Sequence, residues 1–216
     1  MKLNMKKIIV LFAGISLLFT FNACDLNPEI YSEYDREGFE QSEDALAPKL
    51  GDVYVNLQRE YGYAYREGFW SLQENTTDEC VVPTRFAGDW LDGNAFWILH
   101  NHRFNSKTRE ISRGGQSGNN AWAFAYRGVS KCNSMMKWMR SVKNDNGVTL
   151  DIARASDMAE LYILRAWYHY LMLDNFGNVQ FVSQLGDNGY VAKQGQRHQI
   201  FDSIMVDLHK YVPQAS

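Results

Sequence analysis

The side chains best suited to chemistry crowd into one stretch. Between positions 61 and 104, ten of 44 residues are aromatic, where the chain's 14% average predicts about six. Trp70, Trp90, Trp97 and Tyr65 offer flat ring platforms, and Asp78, Arg85, Asp92, Asn94 and Asn101 set polar groups among them. Arg85 carries five donors in a rigid fork, suited to vicinal hydroxyls or a carboxylate. Platforms interleaved with hydrogen-bond groups are equipment for holding a small ligand non-covalently. Each residue has a plainer alternative: Phe96 and Trp97 can fill the core, and Arg85 can pair with Asp78 or Asp89. For Trp97 core packing is favoured; for Trp90, set between Gly88-Asp89 and Asp92-Gly93, exposure is favoured.

Bond-making chemistry finds less support. His100-x-His102 could open a metal site, since two imidazoles at that spacing can share a cation on a strand, but no third ligand stands nearby. Asp78-Glu79, or Asp89 with Asp92, could serve as acid and nucleophile in glycoside hydrolysis. Adjacent carboxylates point in different directions, however, and ordinary ion pairing is the alternative. Gly114-Gly115-Gln116-Ser117-Gly118 fits no nucleophile elbow, Walker-type loop or dinucleotide fingerprint. The expectation is a binding protein and not an enzyme, with no metal and no cofactor. A net charge of -3 and a pI near 6.0 argue against nucleic acid as partner, because phosphate contacts need clustered Lys and Arg.

Helices must position the aromatic stretch. Ser42 can cap the first, with Glu43, Asp44 and Ala45 in its opening turn and Leu46, Leu50, Val53, Tyr54 and Leu57 along one face. That helix should end near Tyr61-Gly62. Gly62, Gly68, Pro83, Gly88 and Gly93 then break any long period, so 61–104 reads as a long structured loop with one or two short helices. A second helix is expected from Asn119 to Val142, stopped by the polar stretch Lys143-Asn144-Asp145-Asn146-Gly147. A third, from Ile152 to Asn175, carries an apolar arc too wide for a surface helix, which implies neighbours on two sides and a stop at Gly177. A fourth covers Gln199 to Tyr211, with Ile200, Ile204, Leu208 and Tyr211 on one stripe and Pro213 closing it. The second and third form an antiparallel pair on the roughly 34-residue scale of tetratricopeptide units, without their consensus, so an α-solenoid-like stack is the expectation.

The amino terminus stands apart. Lys2, Lys6 and Lys7 precede a predominantly apolar run of 14 residues from Ile8 to Phe21. At 1.5 Å per residue such a run reaches about 21 Å, short of the roughly 30 Å a spanning helix must cross. Residues 1–23 look like a lipoprotein signal peptide cut before Cys24, whose acylation would anchor the protein to a membrane. Polar residues 24–41 would form a lipidated tether. Without residues 1–23, 19 basic side chains face 25 acidic ones, a net -6, so lipid and not surface charge must supply the attachment. Of the remaining cysteines, Cys132 is expected as a small buried hydrophobe on its helix and not as half of a bridge with Cys80.

Three stretches, in order, resemble the SusD/RagB family of outer-membrane glycan-binding lipoproteins. The first runs from Thr77-Asp78-Glu79 through Val82-Pro83-Thr84-Arg85, Asp89-Trp90, Asp92-Gly93 and Trp97 to Leu99-His100-Asn101-His102. The second is Trp122 through Asn133, with Tyr126-Arg127-Gly128-Val129 and Cys132-Asn133. The third joins Ala159-Glu160, Leu164-Arg165-Ala166, Tyr168 and Tyr170-Leu171 to Phe176-Gly177-Asn178-Val179, with Gln180 where the family usually has Pro. The resemblance implies a mostly all-α fold, a tetratricopeptide-like α-α superhelix with long aromatic-rich loops. It implies a surface lipoprotein of the outer membrane that binds an oligosaccharide or polysaccharide and serves a TonB-dependent, SusC-like transporter in nutrient uptake, without catalysis. Residues 42–216 would then be the amino-terminal helical portion of a longer family member. Asp78, Arg85, Trp90, Asp92, Asn94 and Trp97 become the candidate glycan contacts, since a neutral sugar offers apolar C–H faces and a rim of hydroxyls. A helical-repeat adaptor that binds a protein partner through its aromatic loops is the alternative.

Overall fold

The computed structural model describes residues 36–62, 69–83, 95–103, 105, 121–186 and 191–215. The chain divides into two compact units, Met1–Gly38 and Phe39–Ser216; of the first, only 36–38 are described. The signal segment, Cys24 and most of the tether therefore lie outside the described residues. Helices follow in chain order as α1 (Arg36–Glu40), α2 (Leu46–Gly62), α3 (Phe69–Glu74) and α4 (Ala95–His100). After them come α5 (Ala121–Ser141), α6 (Leu150–Ala153), α7 (Ala155–Phe176) and α8 (Arg197–Tyr211). Short 3-10 turns occupy Glu43–Ala45 and Val212–Gln214. Among the described residues, β pairing is limited to two isolated bridges, Lys143 with Thr149 and Gln180 with Gln194. The fold is all-α, as expected.

Helix α7 is the axis of the body. Its buried residues include Met158, Leu161, Leu164, Tyr168, Leu171 and Met172, spread around more than one face. Helix α5 packs on one side of it and α8 on the other, the two neighbours that the wide apolar arc required. The α5–α7 approach is close. A Cβ added at Gly128 would stand 2.3 Å from Cζ of Tyr168, a fully buried ring, so only glycine fits there. Two hydrophobic clusters result. Leu46, Val53, Val129, Met136, Leu161 and Tyr168 join α2 to one end of the α5–α7 pair. Phe69, Phe96, Leu99, Ala125, Met172 and Ile200 join α3, α4 and α8 to the other.

Several local expectations are corrected. Ser42 does not cap a helix: its hydroxyl donates back to the Phe39 carbonyl at 2.9 Å, and the turn after it is 3-10. Tyr54 is not part of the apolar face but is exposed, donating to Glu160 at 2.9 Å. Buried Asn56 stands on that face instead, and its amide donates to Oη of Tyr168 at 3.2 Å. The expected third helix is two: Thr149 precedes α6, and Arg154, at φ -123 and ψ 53, breaks the turn before α7. The Arg154 side chain reaches Glu43 at 2.7 Å, fastening the break to the 3-10 turn before α2. Helix α8 begins at Arg197, two residues earlier than its apolar stripe suggested, because Gln199 Oε1 accepts from the Gln196 N–H at 3.0 Å and closes the first turn. The stops fall where expected. Asn144 Oδ1 accepts from the Asn146 and Val148 N–H groups after α5, and Gly177 takes a φ of 73 after α7.

Candidate functional site

The aromatic stretch is built from anchors and outward rings. In α3, Phe69 and Leu72 are buried while the adjacent Trp70 is 39% exposed. In α4, Phe96 and Leu99 are buried, and Trp97 between them is 45% exposed. Neighbours on a helix are about 100° apart, so a residue beside a core anchor is turned away from the core. Core packing, favoured for Trp97 from sequence, is therefore wrong; Phe96 alone fills that role. The Arg103 guanidinium lies 5.3 Å from the centre of the Trp97 ring, a cation–π contact a stacking ligand would have to share or displace. Asn101 is committed elsewhere, its amide donating to the Trp97 carbonyl at 2.8 Å to finish α4.

Asp78 sits exposed in the turn after α3. That turn is held by Thr77, whose hydroxyl donates to the Glu74 carbonyl at 2.8 Å and accepts from the Glu79 N–H at 3.2 Å. Tyr65, Arg85, Trp90, Asp92 and Asn94 lie outside the described residues. Of the six candidate contacts, then, Asp78 and Trp97 are described, and both face outward. His100 and His102 follow one another at the end of α4, with His102 in the left-handed region at φ 53. Among the described residues no three His, Cys, Asp or Glu side chains gather to hold a metal. Cys80 and Cys132 are both free. Burial pushes the Cys132 thiol up to about 12, as suits an inert core residue.

A buried polar cluster joins α5, α7 and α8. Arg165 is 3% exposed, and its guanidinium reaches Asp207 at 2.6 Å, Asn133 at 3.1 Å and the Ser183 carbonyl at 2.5 Å. Asn133 also donates to the Val182 carbonyl at 3.0 Å. The Val182 N–H donates to Nε2 of fully buried His169 at 3.0 Å, which leaves the proton on Nδ1 to bond the Arg165 carbonyl at 2.9 Å. Burial, reinforced by the Arg165 charge, lowers the His169 pKa to about 4. The cluster pins the segment after Gly177 against α5, α7 and α8. Gln180 belongs to the same clamp. Its N–H donates to Oη of Tyr126 at 2.9 Å, a bond that proline could not make.

Sequence reading missed one feature. A groove of about 530 Å³ opens between α2 and α5, lined by Lys49 and Asp52 on one wall and by Arg127, Ser130, Lys131 and Ser134 on the other. Those α5 positions recur every three or four residues, the spacing of one helix face. The signal within them is the pair of small serines one turn apart, which leaves room where α2 passes.

No protein-family model and no curated protein matches the chain. Solved structures do. Surface glycan-binding protein A from Bacteroides uniformis superposes with a TM-score of 0.61 at 20% identity, over 80% of this chain and 35% of its own. A laminarin binding SusD-like protein gives 0.60 at 19%, over 80% of this chain and 34% of its own. A SusD-like protein from Bacteroides fragilis gives 0.59 at 16%, over 83% and 30%. The fold is SusD-like. The chain spans about a third of the length of these structures. Within this SusD-like fold, the second and third stretches that carry the resemblance are structural. Gly128 admits Tyr168, Asn133 and Arg165 hold the clamp, and Gly177 turns the chain into it.

Proposed function

We propose that the protein binds glycans at the cell surface for uptake through a TonB-dependent, SusC-like outer-membrane transporter, breaking no bond itself. The observation that carries this reading is the SusD-like fold, shared with proteins named for glycan and laminarin binding. The outward Trp97 ring, on a helix anchored by Phe96 and Leu99, suits stacking on a sugar face. Trp90 would add a second platform, with Asp78, Arg85, Asp92 and Asn94 bonding hydroxyls. Residues 1–23 act as the signal peptide, Cys24 carries the lipid, 24–41 form the tether, and 42–216 are the helical body. No described helix is long and apolar enough to cross a membrane, and acylation of Cys24 would supply the attachment.

The test is retention of labelled oligosaccharides by the purified full chain in detergent, with product analysis. Intact ligand should be retained, and release of new reducing ends would contradict the reading. A second reading, a helical adaptor for a protein partner, draws on the exposed Trp167 and Tyr170 of α7 and Phe201 of α8. Trp97→Ala separates the two: glycan retention falls under the first, whereas partner capture persists under the second.

A further inference from the structure

A trough runs between α7 and α8, lined by no residue of the aromatic stretch. Its lining shows that the two helices run antiparallel. Ile163 and Trp167 of α7 lie level with Leu208 and Met205 of α8, whereas Asp174 lies level with Arg197 and His198. Ala166, Leu173 and Ile204 form a buried floor, and Trp167, Tyr170 and Phe201 stand exposed along it. The inner hollow, about 260 Å³, is lined by no charged side chain. It opens at one end into a cavity of about 640 Å³, where Asp174 stands on the α7 wall and Arg197 on the α8 wall. Among the described residues, neither of these side chains has a hydrogen-bond or ion-pair partner within the chain. Exposed rings along an apolar trough mark a surface that another protein surface covers. A sugar seated in the inner hollow would find few partners for its hydroxyls.

We propose that the trough is covered by the same trough of a second copy, related by a two-fold axis running along it. An acid on one helix and a base at the same level of its antiparallel neighbour are what that symmetry requires. The rotation keeps direction along the helices and exchanges sides, so α7 of one copy lies against α8 of the other. Tyr170 then meets Phe201 of the second copy. Asp174 meets Arg197 of the second copy, and the same contact recurs in reverse, so each chain completes the other's ion pair. A two-fold axis across the helices would instead set Asp174 and Arg197 against the apolar end, near Ile163 and Leu208, and leave both charges unpaired. The inference does not depend on the glycan-binding reading.

Sedimentation equilibrium of the purified full chain, in detergent matched to the solvent density, reads the protein mass directly. A monomer–dimer equilibrium is expected, and Phe201→Glu should shift it to monomer. Asp174→Arg and Arg197→Asp should each weaken the dimer by at least about tenfold, because a symmetric interface repeats every like-charge contact. Mixing these charge variants in equal amounts should restore a dimer of near wild-type affinity, since each chain then supplies the charge the other needs. Circular dichroism checks that every variant folds. A monomer at all concentrations overturns the proposal, as does a dimer that survives every substitution or a mixture that regains no affinity. A monomer whose retention of labelled oligosaccharide falls in Phe201→Glu would also overturn it and assign the trough to glycan. Glycan retention by the unaltered chain is read separately, so loss of the dimer leaves the glycan-binding reading standing.

Discussion

His169 writes a pH dependence into the fold. A free imidazole titrates near 6.5, whereas burial and the neighbouring Arg165 charge hold this one to about 4. Between those values the unfolded chain takes up a proton that the folded chain refuses. Its contribution is therefore complete above about pH 6.5 and is lost as the pH falls towards 4, a total of about 3 kcal/mol by linkage. Urea unfolding at pH 7.5, 5.5 and 4.5 should show that slope, and His169→Gln should flatten it. An unchanged slope in the variant would assign the acid sensitivity to other groups. Gly128 makes a second prediction at this scale. On an exposed helix face Gly→Ala stabilises by up to about 1 kcal/mol. Here the added methyl meets the Tyr168 ring at 2.3 Å, so Gly128→Ala should destabilise by about 1–3 kcal/mol. A neutral or stabilising result in the same unfolding assay would mean that the two helices can part without loss.

Between elements, the Arg165 cluster is what fastens the segment after Gly177 to α5, α7 and α8. Its charges are buried, so removing one partner strands the other. Arg165→Met or Asp207→Leu alone should each cost about 3–5 kcal/mol, while the two together should cost clearly less than their sum. Additive losses in the double-mutant cycle would show that the pair is not coupled. Little of this was legible in sequence. The apolar periods of α5, α7 and α8 mark three helices and their stops because core burial repeats every three to four residues. Arg165 and Asn133 could be matched to a family pattern, yet their job depends on partners 18 to 49 residues away. The Arg154 break and the 3-10 turn after Ser42 were hidden for a related reason: each is tied to a distant or preceding group that no local propensity encodes. Trp97 was misjudged because two adjacent aromatics cannot both face one core, and the period of a six-residue helix is too short to say which one does.

Across the whole body, the division of labour is between a packed α5–α7–α8 stack and an aromatic surface held on α3 and α4 by Phe69, Leu72, Phe96 and Leu99. The motifs that resemble the SusD/RagB family lie largely in the stack, which explains why they announce the fold more clearly than the ligand. Trp97→Ala removes only an outward ring, so it should leave the unfolding midpoint nearly unchanged while weakening glycan binding by about 1 kcal/mol, roughly fivefold. A large loss of stability would instead return Trp97 to the core. The most direct test of the central claim is to incubate the purified full chain with a panel of labelled oligosaccharides, then measure both retention and ligand length. Saturable retention of uncut ligand, reduced in Trp97→Ala, is the result predicted. Failure to retain any member of the panel, or shortening of the ligand, would contradict a non-catalytic glycan-binding protein.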